Sequence, residues 1–241
     1  MWKAVRLYGR RITLKGMSMP ENTGHMETTL HKLVRVEELT PETYVLHFER
    51  KGFGFTPGQY AVIRDPESGE GREYSIYSSL HDEELSFLIR EVKNGDFSRL
   101  LRHLEPGSPM YIEGPLGFFI LDEPIKKGDP VLFVATGTGI SPFHSFVRSF
   151  PGLHYLLLHG VHFADEAYGR QAFDASRYCL CTSREDKGDY FGRVTYYLKE
   201  FPVEPHTICY LCGNSEMIEE VTDILERYHI PAENIRTEVY F

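Results

Sequence analysis

Cysteine is scarce in this sequence: four in 241 residues, Cys179, Cys181, Cys209 and Cys212, all in the last third of the chain. A secreted disulfide scaffold is shorter and spreads its thiols more widely, so a reducing compartment is expected. An iron–sulfur cluster needs four convergent thiolates, and the usual spacing for one is missing. Cys209-Tyr-Leu-Cys212 has the spacing of a redox or zinc knuckle, but it stands in the apolar run from Thr207 to Leu211. Such a run reads as a buried strand whose side chains alternate between faces, which favours packing or single-thiol roles over metal. Cations are also in the minority, 26 Lys and Arg against 35 Asp and Glu for a net charge of −9. That argues against a nucleic-acid binder with a broadly basic surface. No apolar run approaches the ~18 residues of a membrane span. A soluble chain that meets neither nucleic acid nor membrane is expected.

What is present is bulk: 41% hydrophobic residues, with 15 Tyr and 16 Phe, far more than a solvated acidic tail carries. The length suits one large domain or two compact ones. The first 20 residues hold Lys3, Arg6, Arg10, Arg11 and Lys15 and no acid. Two readings of this extension, residues 1–27, stay open: an organelle transit peptide, or an upstream stretch of a prokaryotic reading frame that starts near Met26. With no secretory apolar segment visible, the cytoplasm is the expected location.

The chain divides into two rhythms. In residues 28–125, short alternating runs are separated by Gly52, Pro57-Gly58, Asp65-Pro66, Asn94-Gly95 and Pro106-Gly107. The runs are Val34–Val36, Thr43–Phe48, Tyr60–Ile63, Tyr74–Tyr77, Leu85–Ile89 and Met110–Ile112, which predict an antiparallel β-barrel or sandwich with one helix at Phe97–His103. Residues 122–130 are rich in Pro, Gly and charge, as a linker is. Residues 126–241 then alternate strand and helix. Predicted strands are Val131–Ala135, Tyr155–His159, Tyr178–Cys181 and Ile208–Leu211. Predicted helices run from the glycine loop to Phe150 and over Asp165–Ala175, Thr195–Phe201 and Glu216–Tyr228. This alternation means a doubly wound parallel sheet with ligands at the carboxyl ends of its strands.

Two segments suggest chemistry. Gly137-Thr138-Gly139 follows a buried strand and opens a helix, where backbone can approach a phosphate and free N–H groups favour negative charge. Pro142 stands where the usual fingerprint has a third glycine, so the loop alone is equally a tight strand-to-helix turn. Arg72-Glu-Tyr-Ser75 could hold a phosphate, stack on a flat ring and hydrogen-bond its edge. By itself it reads more readily as an ordinary strand with a surface Arg and a core Tyr.

Taken in order, these segments join Pro57-Gly-Gln-Tyr60, Gly95-Asp-Phe-Ser98-Arg-Leu100, Gly114-Pro-Leu-Gly117, Ser183-Arg-Glu185, Cys212-Gly-Asn214 and Glu238-Val-Tyr-Phe241. The sequence then resembles the ferredoxin–NADP reductase family of flavoproteins from about Lys32 to its end. The resemblance implies a flavin-binding β-barrel followed by a nucleotide-binding α/β domain, with FAD and NADP(H) as cofactors. By the same resemblance, Arg72 takes a flavin phosphate, Tyr74 stacks on the ring, Ser75 sits near flavin N5, and Ile89, Arg90 and Val92 line the ring edge. Gly95, Phe97 and Ser98 resemble the pyrophosphate clamp that favours FAD over FMN.

In the second domain Thr136, Gly137, Thr138, Gly139 and Pro142 are implied to face the nucleotide diphosphate, and Gly213 and Asn214 to follow Cys212 in the nucleotide site. Ser183 and Arg184, with Arg193 behind them, resemble the group that takes the 2′-phosphate of NADP. A departure is Gly160-Val-His162, where prokaryotic members often carry an Arg. Ser75, Cys212 and Glu238 resemble the polar group beside the reacting rings, Tyr240 the aromatic that covers the flavin, and Phe241 the extra aromatic that holds adenine.

The implied activity is hydride transfer from NADPH to flavin N5, then single electrons to a separate ferredoxin or flavodoxin. An oxygenase reductase component or a free-flavin reductase is the alternative. A monomer is expected, with a basic docking patch from Arg90, Lys93, Arg99 and Arg102.

Overall fold

A computed structural model describes residues 27–93 and 95–240. Phe241 and residues 1–26 of the expected extension lie outside the described residues. Twelve strands and five α-helices are described, and no helix among these residues is long and apolar enough to cross a membrane.

The first half is antiparallel. Strands β1 (Glu27–Thr40), β2 (Thr43–Glu49), β3 (Tyr60–Arg64), β4 (Gly71–Ser75), β5 (Glu84–Arg90) and β6 (Pro109–Leu116) form one sheet in the order β4-β3-β6-β1-β2-β5. A single bridge, Ile76 to Phe87, joins its two ends, so the sheet is barrel-like without full closure. Strand β1 makes the corner. Its first six residues pair with β6 and its later ones with β2, with a register shift between Leu33 and Arg35. Only Val34–Val36 was legible as strand there, because Thr28, Thr29, His31 and Lys32 dilute the apolar alternation. Helix α1 (Asp96–Arg102) buries Phe97 and Leu101 against the barrel core.

The second half is a parallel sheet in the order β10-β9-β8-β7-β11-β12. Strands β7 (Val131–Thr136), β8 (Tyr155–Val161), β9 (Tyr178–Thr182) and β11 (Ile208–Asn214) match the predicted runs. The two-residue β10 (Tyr190–Phe191) and the terminal β12 (Ile235–Tyr240) extend the edges. Helix α2 (Glu123–Lys126) is short and precedes β7, and α3 (Ser141–Ser149), α4 (Val194–Glu200) and α5 (Ser215–Arg227) complete the alternation. The chain leaves β7 toward β8 and returns on its other side as β11, so the sheet has its switch point between β7 and β11. Cys209 packs with Leu132 and Leu211 on one face while Cys212 packs with Phe133 and Tyr210 on the other, so their thiols face away from each other.

The helix expected over Asp165–Ala175 is absent. Two single 3-10 turns, Ala164–Glu166 and Arg170–Ala172, stand there, separated by Gly169 at φ +65°. Tyr168 and Phe173 are both buried anchors, and five residues apart they would lie on separate faces of a helix, which the core could not take together.

Helix α3 holds the halves together. The His144 ring stacks on Tyr77 at 3.7 Å and its Nδ1–H donates to the Tyr77 carbonyl at 2.8 Å. Ser145 donates to the Ser78 carbonyl at 2.7 Å, and Arg148 pairs with both oxygens of Asp82 at 2.6 and 2.7 Å. At the same seam Gly58, at φ +93°, lies so close that a Cβ would fall 1.9 Å from the Phe119 carbonyl and 2.7 Å from the Phe146 ring. Gly58→Ala is therefore expected to lower the unfolding free energy by about 2 kcal/mol or more in urea melts. Gly54→Ala, with open space around it, should change it by less than about 0.5 kcal/mol.

Candidate functional site

The carboxyl end of β4 meets the last strand of the second sheet. Ser75, the final residue of β4, donates its hydroxyl to Glu238 Oε1 at 2.6 Å across 163 positions of sequence. Glu238 pairs with Cys212 in the β11–β12 register, and Tyr240 with Asn214. The Tyr240 hydroxyl turns inward beside Cys212 and Ser75, shielded from solvent. Burial raises the Glu238 carboxyl to about 7, Ser75 working against the rise and Glu73 adding to it. Burial likewise holds the Cys212 thiol far above its ordinary range, so it stays a neutral, compact packing group rather than a nucleophile.

Ser75, Cys212, Glu238 and Tyr240 thus come together. On the barrel side Arg72 is exposed, bonded to Glu70 at 2.6 Å, with its guanidinium 5.8 Å above the Phe97 ring. Tyr74 packs on the barrel core with its hydroxyl pushed up by burial. Ile89 and Phe97 are core residues and Val92 is 57% exposed. Ser98 is turned inward, accepting from the Val92 N–H at 3.1 Å and donating to the Gly95 carbonyl at 3.3 Å. Gly95 itself caps α1.

Above the switch point opens a cleft of about 540 Å³. Thr136, Gly137, Thr138, Ser183, Arg184, Arg193, Gly213 and Asn214 line it, with Tyr240 and, from the barrel half, Arg90. Asn214 ties the two central strands together, its N–H and side-chain amide both donating to Thr136 Oγ1 at 3.3 and 3.2 Å. Gly139, Pro142 and Cys212 are not in the wall; they are buried behind it. Arg184 and Arg193 are exposed, and neither forms an ion pair among the described residues. Glu185, the neighbour that could have neutralised Arg184, instead accepts from the Ala164 N–H and pairs with Lys187.

The wall also contains residues that sequence reasoning missed: Glu166, Tyr168, Thr195, Glu216, Met217 and Glu220. Thr195 could have been found from its place two residues after Arg193 at a helix start. Tyr168 could not, because it lies where a helix was expected. The Thr195 hydroxyl is buried with no partner. His162 also lines the cleft, and burial, with the Arg184, Arg90 and Arg193 guanidiniums, lowers its pKa, so it adds no charge at neutral pH.

The basic patch expected from Arg90, Lys93, Arg99 and Arg102 is largely cancelled. Arg90 pairs with Glu42 at 2.9 Å, Arg99 with Glu91 at 3.4 Å, and Arg102 with both Glu91 and Glu38. The acids come from β1, the β1–β2 turn and the end of β5, segments far apart in sequence that the barrel folds beside α1.

Residues 30–120 match the family model described as oxidoreductase FAD-binding domain. The chain is 32% identical over 222 residues to the toluate 1,2-dioxygenase electron transfer component of Pseudomonas putida, covering 85% of this chain and 65% of that one. It is 29% identical over 237 residues to ferredoxin–NADP reductase B of Sorangium cellulosum, covering 87% and 96%. The fold superposes on a ferredoxin–NADP+ reductase of Neisseria gonorrhoeae with a TM-score of 0.79 at 23% identity, over 89% of this chain and 99% of that one. The chain belongs to the ferredoxin–NADP reductase family of flavoproteins. It spans 65% and 53% of the length of two dioxygenase components that it matches.

In this family setting the barrel half is an FAD-binding oxidoreductase module, and the Ser75–Glu238 bond ties it to the parallel-sheet half. The charge of Glu238 can be read directly. In an infrared titration its protonated-carboxyl band should vanish with a midpoint near about 7. Ser75→Ala should move that midpoint upward, since the hydroxyl's hydrogen bond stabilises the carboxylate and its loss favours the acid. Glu238→Gln should remove the band. A midpoint in the ordinary carboxylate range contradicts the assignment.

Proposed function

We propose that this chain exchanges electrons between NADPH and a one-electron carrier of the ferredoxin or flavodoxin kind, using FAD. The carrying observation is the Ser75–Glu238 hydrogen bond, which ties the end of the FAD module to β12, the strand whose Tyr240 lines a cleft with two cations that have no carboxylate partners among the described residues. The division into an FAD module at 28–125 and a nucleotide module at 126–241 belongs to the same reading, as do a monomeric state and a cytoplasmic location.

The residues fit both groups chemically. The inward Tyr240 hydroxyl and the exposed Arg72 guanidinium over Phe97, which would exchange Glu70 for a phosphate, supply a polar edge and a cation for a flavin and its phosphates. Arg184, Arg193, Ser183 and the partnerless Thr195 hydroxyl form a donor set for a phosphate monoester, which NADP carries at its 2′ position and NAD lacks. Bound FAD supplies the hydride acceptor and the change from a two-electron to a one-electron donor.

Everything else falls to the chain. Ser75 and Glu238 fix the edge at which the nicotinamide ring must arrive, and Glu238, near half-protonated at neutral pH, can hold or release a proton at Oε1 beside Ser75. Cys212, buried behind the cleft, backs the site as a neutral, desolvated thiol. Tyr240 covers the approach and has to move before the ring can enter. Thr136, Gly137 and Thr138 receive the diphosphate, and Ser183, Arg184 and Arg193 the 2′-phosphate.

A second reading, the reductase component of an oxygenase, is favoured by the 32% identity to the toluate dioxygenase component. The nucleotide separates the two as far as Arg184 and Arg193 select NADPH, and the carrier separates them fully. In stopped-flow, NADPH should bleach the flavin at least about tenfold faster than NADH at equal concentration, and Arg184→Ala should erase most of that difference. Equal bleaching by both nucleotides overturns the 2′-phosphate site. Cytochrome c reduction that depends on added ferredoxin or flavodoxin supports the first reading. Reduction that depends only on an oxygenase component supports the second. Ser75→Val should retain FAD while hydride transfer slows by about 100-fold. Unchanged bleaching removes Ser75 from its role.

A further inference from the structure

His159 has no place in the site as described so far. It stands on β8, fully buried, and does not line the cleft. Yet both ring nitrogens are engaged: Nε2 lies 2.9 Å from the Gly137 carbonyl and Nδ1 lies 2.7 Å from the Tyr178 hydroxyl. Gly137 is the first residue of the cleft loop and sits at φ +53°, in the left-handed region that glycine tolerates.

The donor pattern is forced. A carbonyl only accepts, so Nε2 carries a proton. Desolvation keeps the ring neutral, with its pKa lowered to about 4, so Nδ1 is bare and accepts from the Tyr178 O–H. The chain Tyr178 O–H to Nδ1, Nε2–H to Gly137 C=O therefore runs in one direction and fixes one tautomer. The Gly137–Thr138 peptide is trans, so its N–H points opposite to its C=O. A carbonyl held inward by His159 leaves the Thr138 N–H aimed at the cleft that Gly137 and Thr138 line. Without the anchor this glycine peptide is free to flip and present a carbonyl to an incoming anion.

We propose that His159 is a positioning residue for nucleotide diphosphate recognition, holding the Gly137–Thr138 peptide so that an N–H and not a C=O faces the anion. This deepens the nucleotide-binding reading above and rests on it. It also gives this loop an external brace where Pro142 replaces the third glycine of the usual fingerprint.

The test is calorimetric titration of the FAD-loaded protein with two ligands, NADP+ and adenosine 2′-monophosphate. The second carries the group that Arg184 and Arg193 would hold but no diphosphate. His159→Phe should weaken NADP+ by about tenfold or more, the consequence of leaving a buried carbonyl unpaired and the peptide unfixed. Adenosine 2′-monophosphate should stay within about twofold of wild type, which a general loosening of the module would not allow. His159→Gln, whose amide nitrogen reaches the Nε2 position, should recover NADP+ binding to within about threefold, and His159→Asn, which reaches only as far as Nδ1, should not. The Gln and Asn pair decides the matter even where Phe cannot be folded.

Unchanged NADP+ affinity in His159→Phe overturns the proposal. So does an equal loss for both ligands, or a Gln variant as weak as the Asn variant. A wild-type protein that binds neither NADP+ nor NAD+ overturns the functional reading itself, before any variant is compared.

Discussion

The hydrogen bond from Ser75 to Glu238 is the constraint around which the rest of this molecule is arranged. It joins the end of an antiparallel strand in one half to the outermost strand of a parallel sheet in the other, at 2.6 Å. A hydrogen bond of that length between two modules holds only if neither can rock against the other. The seam at α3 supplies that rigidity, through the Tyr77–His144 stack, the Ser145 bond and the Arg148–Asp82 pair. Gly58 lets the two surfaces close to contact at the same seam. Helix α3 is also the helix that follows the cleft loop, so one element fixes both the seam and the loop's direction.

Burial then sets the chemistry at the junction. Glu238 loses water on burial, and its carboxyl rises to about 7 although Ser75 donates a hydrogen bond to it. Cys212, with no solvent contact, is held neutral by the same desolvation. Of Ser75, Cys212, Glu238 and Tyr240, it is Glu238 that burial brings closest to neutral pH.

Most of the architecture was legible in the sequence, and its failures have physical causes. Each buried strand of the parallel sheet reads as a continuous apolar run, and the opposed faces of Cys209 and Cys212 follow from period-two alternation. The stretch Asp165–Ala175 forms no helix because Gly169 turns the backbone into the left-handed region and because Tyr168 and Phe173, five residues apart, could not share one buried helical face. Strand β12 went unread because its exposed-to-half-buried pattern lacks the continuous run of its neighbours; it is an edge strand completed by β11. The cancelled basic patch shows a deeper limit. Arg102 is answered by Glu38 across 64 residues and by Glu91 across 11, and a pairing of that kind depends on tertiary proximity, which a local scan of charge does not see. The same holds for Thr195 and Tyr168, which enter the cleft from segments with no motif of their own.

That allocation of charge is itself an argument about the cleft. The chain has an excess of carboxylates, and its arginines are correspondingly well supplied: Arg35, Arg64, Arg90, Arg99, Arg102, Arg148, Arg170 and Arg236 each hold one. Arg184 and Arg193 do not, although Glu185 is adjacent in sequence and Glu216 and Glu220 share the same cleft. Glu185 is diverted to Lys187 and a backbone N–H, and Glu220 to Lys199. Arg50 and Arg227 also lack a carboxylate among the described residues, but only Arg184 and Arg193 line the cleft beside the buried, partnerless Thr195 hydroxyl, and on the reading proposed above that donor set is completed by an anion.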